Sequence, residues 1–119
     1  MSLEWEHVVM DAQDPVALGR WWREALDWVI VNDDPDEFEL RPEPGRLPGL
    51  IFEPVDEAKL VKNRLHLDLR PADQDAEVKR LIALGATRLD IGQGAVSWVV
   101  LADPEGNEFC VLRNRPVSP

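Results

Sequence analysis

The order strand, helix, then three strands is written twice in this chain, and that repetition constrains the fold more than any single motif. In the first copy, Glu4–Met10 is a short run of β-formers, and Asp14-Pro15 supplies a helix N-cap followed by proline in the first turn. Leu18, Trp22, Ala25 and Leu26 recur at helical spacing, and the helix is expected to stop near Asp27. Trp28–Val31 and Phe38–Arg41 then read as strands around the turn "NDDPDE", and Leu50–Glu53 follows the loop "PEPGRLPG". In the second copy, Leu65–Leu69 is the opening strand and Asp73 or Asp75 caps the helix. Val78, Leu81 and Ile82 form its buried face, and Gly85 stands where a left-handed C-terminal cap belongs. "ATRLDI", Val96–Leu101 and Glu108–Leu112 are its three closing strands, the last entered through the turn "DPEGN".

The two copies keep register. His7 and His66 stand 59 residues apart, each in its copy's first strand, and Glu53 and Cys110 stand 57 apart, each after a phenylalanine in the last strand. An internal duplication of a βαβββ unit produces such a correspondence, which places the chain in the α+β class. The expected domain covers residues 4–114, with module one at 4–57 and module two at 63–114. Residues 55–63, "VDEAKLVKN", link the two, and 115–119 form a tail.

Bulk properties exclude several function classes. The chain has 119 residues, enough for one domain, and a net charge of −10 from 23 acidic and 13 basic residues. Such a surface repels nucleic acid and anionic membranes, and no run of Lys or Arg offsets it. No apolar run reaches the roughly 18 residues of a membrane span. The start, "MSLEWEH", lacks the layout of a signal peptide, and the single Cys110 gives no disulfide framework; both fit the cytoplasm. Small molecules or proteins remain as partners. There is no nucleophile elbow, phosphate-binding glycine loop or paired-cysteine motif, and "GQG" at 92–94 is only a turn.

His7 in the first strand, "PVALGRWWREALDW" at 15–28, "RLHLDL" at 64–69 and "DPEGNEFCVL" at 103–112 together resemble the vicinal oxygen chelate superfamily, in particular its glyoxalase-like proteins. The resemblance runs from about Trp5 to Arg113. It implies two βαβββ modules forming an open, barrel-like cleft that takes a small molecule, and a homodimer. It also implies a divalent metal, Zn, Fe, Mn, Ni or Co, for lyase, isomerase or oxygenase chemistry. Carried over position by position, the metal ligands are His7, Glu53 and His66, with Glu53 the best candidate for a catalytic carboxylate. Cys110 stands at the fourth position, where metal-dependent members usually have glutamate. The alternative within the same superfamily is metal-free binding, as in drug-sequestering, bleomycin-resistance-type members.

Each of these residues has a plainer reading. A strand histidine is often satisfied by backbone or water, and Cys110 in "FCVL" reads as a small buried apolar residue. Asp68 and Arg70 share a face with His66 by strand alternation, as orienting partners or a simple ion pair. Glu108 reaches the cleft if the last strand bulges. Trp5 and Trp98 are expected to line the cleft, Trp22 and Trp28 to fill the core, and Trp21, beside the helical stripe, to rim an interface. Asp27 is expected to tolerate the left-handed conformation at the helix end.

Overall fold

Asp14 fixes where the first helix begins: its side chain accepts from the Ala17 N–H at 3.1 Å, and Pro15 occupies the first turn. The computed structural model describes residues 2–115, which divide into two units, the first ending at Ala58 and the second starting at Lys59. The first unit contains β1 (His7–Ala12), α1 (Pro15–Leu26), β2 (Val29–Asp34), β3 (Glu37–Arg41) and β4 (Gly49–Pro54). Its open sheet has the order β1-β4-β3-β2, with β1 parallel to β4 and the other pairs antiparallel. The second unit contains β5 (Leu67–Leu69), α2 (Gln74–Leu84), β6 (Thr87–Arg88), β7 (Val99–Ala102) and β8 (Glu108–Val111), in the order β5-β8-β7-β6. The doubled βαβββ order expected from the sequence is therefore present. No helix among the described residues is long and apolar enough to cross a membrane.

Helix α1 ends at Asp27, which adopts the left-handed conformation (φ 55°, ψ 43°). Its apolar stripe is buried through Leu18, Trp22 and Ala25, against Phe38, Leu40, Leu50 and Phe52 of the sheet. Trp22, Phe38 and Phe52 are fully buried, and side chains of this size each contribute about 2–3 kcal/mol of transfer free energy. In the second unit, Asp73 rather than Asp75 caps α2 by accepting from the Ala76 N–H at 3.1 Å, and Gly85 closes it with φ 120°. Phe109, Leu101 and Val111 carry that unit's core.

Some expectations shift. Asn32–Asp34 belong to β2 rather than to the turn; the edge strand lets its acidic side chains face water, and the reversal falls on Pro35-Asp36. Ile82 is 43% exposed, because one step along a helix turns it about 100° from the buried Leu81. Trp28 is half-buried, and Trp21 sets its ring edge-on to Trp22 at 5.1 Å. His66 precedes β5 rather than lying within it. Of the expected tail, only Arg115 is described, donating its N–H to the Pro71 carbonyl at 2.8 Å, and 116–119 lie outside the described residues.

The strand register also revises how the repeats correspond. Asp11 lies opposite Glu53 and Asp68 opposite Cys110, both pairs related by 57 residues. The helix caps Asp14 and Asp73 are instead related by 59, so the β5–α2 connection is two residues longer than its counterpart. By strand register, His66 therefore matches Val9, and His7 matches Arg64.

Gly19 on α1 lies against the Phe38 ring so closely that an added Cβ would overlap it, whereas Gly45 faces open space. Gly19→Ala is expected to lower stability by about 1–2 kcal/mol, overpacking outweighing the gain in helix propensity. Gly45→Ala is expected to leave it unchanged, and urea denaturation midpoints of the two variants check the contrast.

Candidate functional site

Strand alternation separates two faces in the first sheet. Phe38, Leu40, Leu50 and Phe52 lie under α1, leaving Glu39, Arg41, Gly49, Ile51 and Glu53 on the opposite face, beside His7, Val9 and Asp11. On that face Arg41 holds two carboxylates, donating from Nε to Glu39 at 3.1 Å and from Nη2 to Glu6 at 3.2 Å. Glu39 and Arg41 are largely enclosed, with side chains 12% and 21% exposed. Gly49 makes this possible, since a Cβ there would stand 2.7 Å from Glu39 Oε2 and 2.9 Å from the Leu40 carbonyl. His7 lies opposite Gly49, and its Nδ1 is buried without a hydrogen-bond partner. The ligating atoms of Glu6, His7 and Glu39 all lie within 4.8 Å of one another.

Glu53 is not part of that group. It lies opposite Asp11, four residues beyond the level of His7, or about 13 Å at about 3.3 Å per residue. His7 and Glu53 thus occupy different levels of one sheet. Within the first unit, His7 and Glu53 are therefore not convergent donors.

The second unit assembles another group. Asp68 on β5 is opposite Cys110 on β8, and His66 Nε2 lies 3.2 Å from Asp68 Oδ1. The donor atoms of His66, Asp68 and Cys110 are all within 4.8 Å of one another. Cys110 is buried, whereas the His66 and Asp68 side chains are 41% and 53% exposed. Burial pushes the Cys110 thiol above its ordinary range, and the Asp68 charge and the hydrogen bond to Asp68 push it further, against a small opposing effect of Lys62. The thiol is therefore a protonated donor to Asp68. Arg70, expected beside them, donates from Nη1 to the Arg113 carbonyl at 3.0 Å.

Glu108 does not reach for a ligand. Its side chain, 9% exposed, accepts from Lys59 Nζ at 2.8 Å and from the Asn63 N–H at 3.1 Å. Burial alone would raise its carboxyl. The hydrogen bonds from Lys59, Asn63 and its own backbone, with the charge of Lys59, outweigh that and hold it below the usual carboxylate range. Asn63 also donates from Nδ2 to Asn107 Oδ1 at 2.9 Å, and Asn107 is fixed by the buried Asp103 of the "DPEGN" turn. Much of the expected linker is thus bound to the second unit. Trp5 and Trp98, the two tryptophans expected to line a site, are 66% and 39% exposed.

Sequence reasoning did not single out Glu6, Glu39, Arg41, Lys59 or Asn63. The alternation of "FELR" already placed Glu39 and Arg41 on one face, so that pair carried a usable signal. Nothing local marked Lys59 or Asn63, whose partners lie more than forty residues away.

The sequence matches the family model described as a glyoxalase-like domain over residues 7–112. No curated protein matches the chain by sequence. Among solved structures, a glyoxalase/bleomycin resistance protein/dioxygenase family enzyme from Burkholderia phytofirmans PsJN is similar at 20% identity and a TM-score of 0.72, covering 95% of this chain and 100% of that one. A trypanothione-dependent glyoxalase I of Leishmania major is similar at 15% identity and a TM-score of 0.67, covering 94% and 87% of the two chains. A bleomycin-binding protein from Streptomyces verticillus, complexed with copper(II)-bleomycin, is similar at 16% identity and a TM-score of 0.63, covering 97% and 99%. At these identities the structural likeness establishes the fold.

The lowered Glu108 carboxyl has a signed consequence. Its stabilisation is fully present above the carboxylate's unfolded pKa and is lost as pH falls through the lower folded value. Lys59→Met is expected to cost about 2–3 kcal/mol at neutral pH, by stranding a mostly buried carboxylate. Glu108→Gln is expected to flatten the acid limb of stability, and urea midpoints measured from pH 7 down through the carboxylate range test both variants.

Proposed function

The chain belongs to the glyoxalase-like domain family, and from that premise we propose that it binds a small organic molecule, flat and bearing a cationic group, on the sheet face that carries His7, Glu39 and Arg41. The observation that carries the reading is His7 Nδ1, a buried polar atom with no partner on the face away from α1. Leaving such an atom unpaired costs about 1–3 kcal/mol, which a bound hydrogen-bonding group would recover. Glu6 and Glu39 surround a single Arg41, so the cluster has an excess negative charge that favours a cationic ligand group. Trp5, two residues before His7, exposes an indole on which a flat ring system can stack. That a protein of the same fold binds bleomycin supports small-molecule binding as a use of this architecture.

Metal-assisted lyase, isomerase or oxygenase chemistry through His7, Glu53 and His66 is the competing reading. The separate levels of His7 and Glu53 weigh against it.

The two readings separate in a titration of tryptophan fluorescence with flat organic cations such as ethidium, with bleomycin included, in the presence and absence of chelator. Saturable binding that is indifferent to chelator is expected. His7→Phe is expected to weaken that binding at least tenfold while raising the stability of the free protein by about 1 kcal/mol, because the orphaned nitrogen is removed. Wild-type affinity in His7→Phe, or binding abolished by chelator, overturns the reading.

A further inference from the structure

We propose that the second unit binds a small cationic α-amino acid, of the arginine or lysine type, in an open pocket of about 360 Å³ lined by Asp73, Gln74, Asp75, Arg113 and Asn114. The pocket lies where α2 begins and where the chain leaves β8. The proposal does not rest on the small-molecule reading above, which concerns the other unit.

Three observations support it. The first is that the pocket falls where the two repeats differ. The parallel ladders correspond at a spacing of 57, and the bonds just beyond them keep it. The Val55 N–H on the Ala12 carbonyl matches the Leu112 N–H on the Leu69 carbonyl. Gln13 Nε2 on the Asp56 carbonyl likewise matches Arg70 Nη1 on the Arg113 carbonyl. Arg113 therefore stands where the first unit has Asp56, a guanidinium in place of a carboxylate. There the correspondence ends: residues 70–73 separate β5 from α2, against only 13 and 14 between β1 and α1. The longer connection delivers Asp73, Gln74 and Asp75 to the pocket.

The second is that the lining is held in place. Gln74 donates its N–H to Asn114 Oδ1 at 2.7 Å, and its Nε2 to the Ser97 and Val111 carbonyls at 2.8 and 3.1 Å. Because Asn114 accepts through Oδ1, its Nδ2 is the end left to donate. The backbone N–H groups of Gln74 and Ala76 are already taken by Asn114 and Asp73, so recognition falls to the side chains rather than to the helix terminus. A lining fixed in advance lowers the entropic cost of binding.

The third is charge. Among the described residues, the Arg113 guanidinium and the Asp75 carboxylate form no hydrogen bond or ion pair, although they line the same pocket. Asp73 spends one oxygen on the Ala76 N–H and keeps the other. The guanidinium fork of Arg113, with Asn114 Nδ2, suits a carboxylate. Asp73 and Asp75 suit two cationic groups. The lining thus carries two negative charges and one positive, the complement of an amino acid with two cationic groups and one carboxylate. The pocket is at the small end of the roughly 300–1,000 Å³ range of small-molecule sites, which fits a ligand of that size.

The test is a titration of the isotope-labelled full chain with L-arginine, read from backbone amide shifts, alongside agmatine, which lacks the carboxylate. Saturable shifts at low-millimolar arginine are expected, centred on Gln74, Asp75 and Asn114. Agmatine is expected to bind about fivefold more weakly, the scale of one solvent-exposed ion pair. Arg113→Gln should lower arginine affinity to that of agmatine and leave agmatine binding unchanged. Asp75→Asn should weaken both ligands by about the same factor. Both substitutions alter exposed side chains, and circular dichroism checks that the fold is kept. The proposal is overturned if wild-type protein gives no saturable shifts at these residues, if folded Arg113→Gln binds arginine as wild type does, or if arginine and agmatine bind equally. Because the shifts report on the second unit alone, its failure is distinguishable from failure of the small-molecule reading.

Discussion

A carboxylate on an interior strand must find donors close by, and Glu108 finds them in the segment that joins the two repeats. It sits on β8, between β5 and β7, with Lys59 and an Asn63 backbone N–H on its oxygens. Those bonds turn a connecting segment into part of the second unit, and Asn63 extends the network to Asn107 and the buried Asp103. Asp103 in turn accepts the N–H groups of Glu105 and Asn107, which sets the turn that delivers β8 into the sheet. Cys110 is two residues further along the same strand, so its place opposite Asp68 depends on the same anchor.

The repeats use one scaffold for two chemistries. Each has an opening strand lying parallel to its closing strand, with matched register through Asp11–Glu53 and Asp68–Cys110. What differs is the side chains projected at each level. The first sheet offers an Arg41-centred ionic cluster with an unpaired imidazole atom, and the second offers a thiol, a carboxylate and an imidazole. The ladder is the same in both units while the faces differ.

What could be read in the sequence was local. Asp14, Asp73, Asp27 and Gly85 bound their helices as their types require, and "DPEGN" forms its turn with Gly106 at φ 90°. The alternating strands and the helical stripe of α1 follow from periodicities of two and 3.6 residues. What could not be read was non-local. Comparing the histidines by sequence gave a spacing of 59, which the helix caps share, whereas the strands are related by 57. A two-residue difference in one loop was enough to pair His66 with the wrong counterpart. The grouping of His66 and Asp68 with Cys110, and of Lys59 with Glu108, depends on strand pairing across more than forty residues.

The anchoring of Lys59 also decides where the chain can be divided. The first unit uses its chain through Val55 and Asp56, whose backbone groups meet Ala12 and Gln13. A cut after Ala58 would leave those contacts in one fragment and the Lys59–Asn63 anchor in the other. A cut only a few residues later, after Asn63, would carry off the cation that neutralises Glu108 and leave the second fragment with an uncompensated charge in its sheet. The natural joint between the two halves is therefore narrower than the irregular segment around it, and it lies at the near end of that segment rather than in its middle.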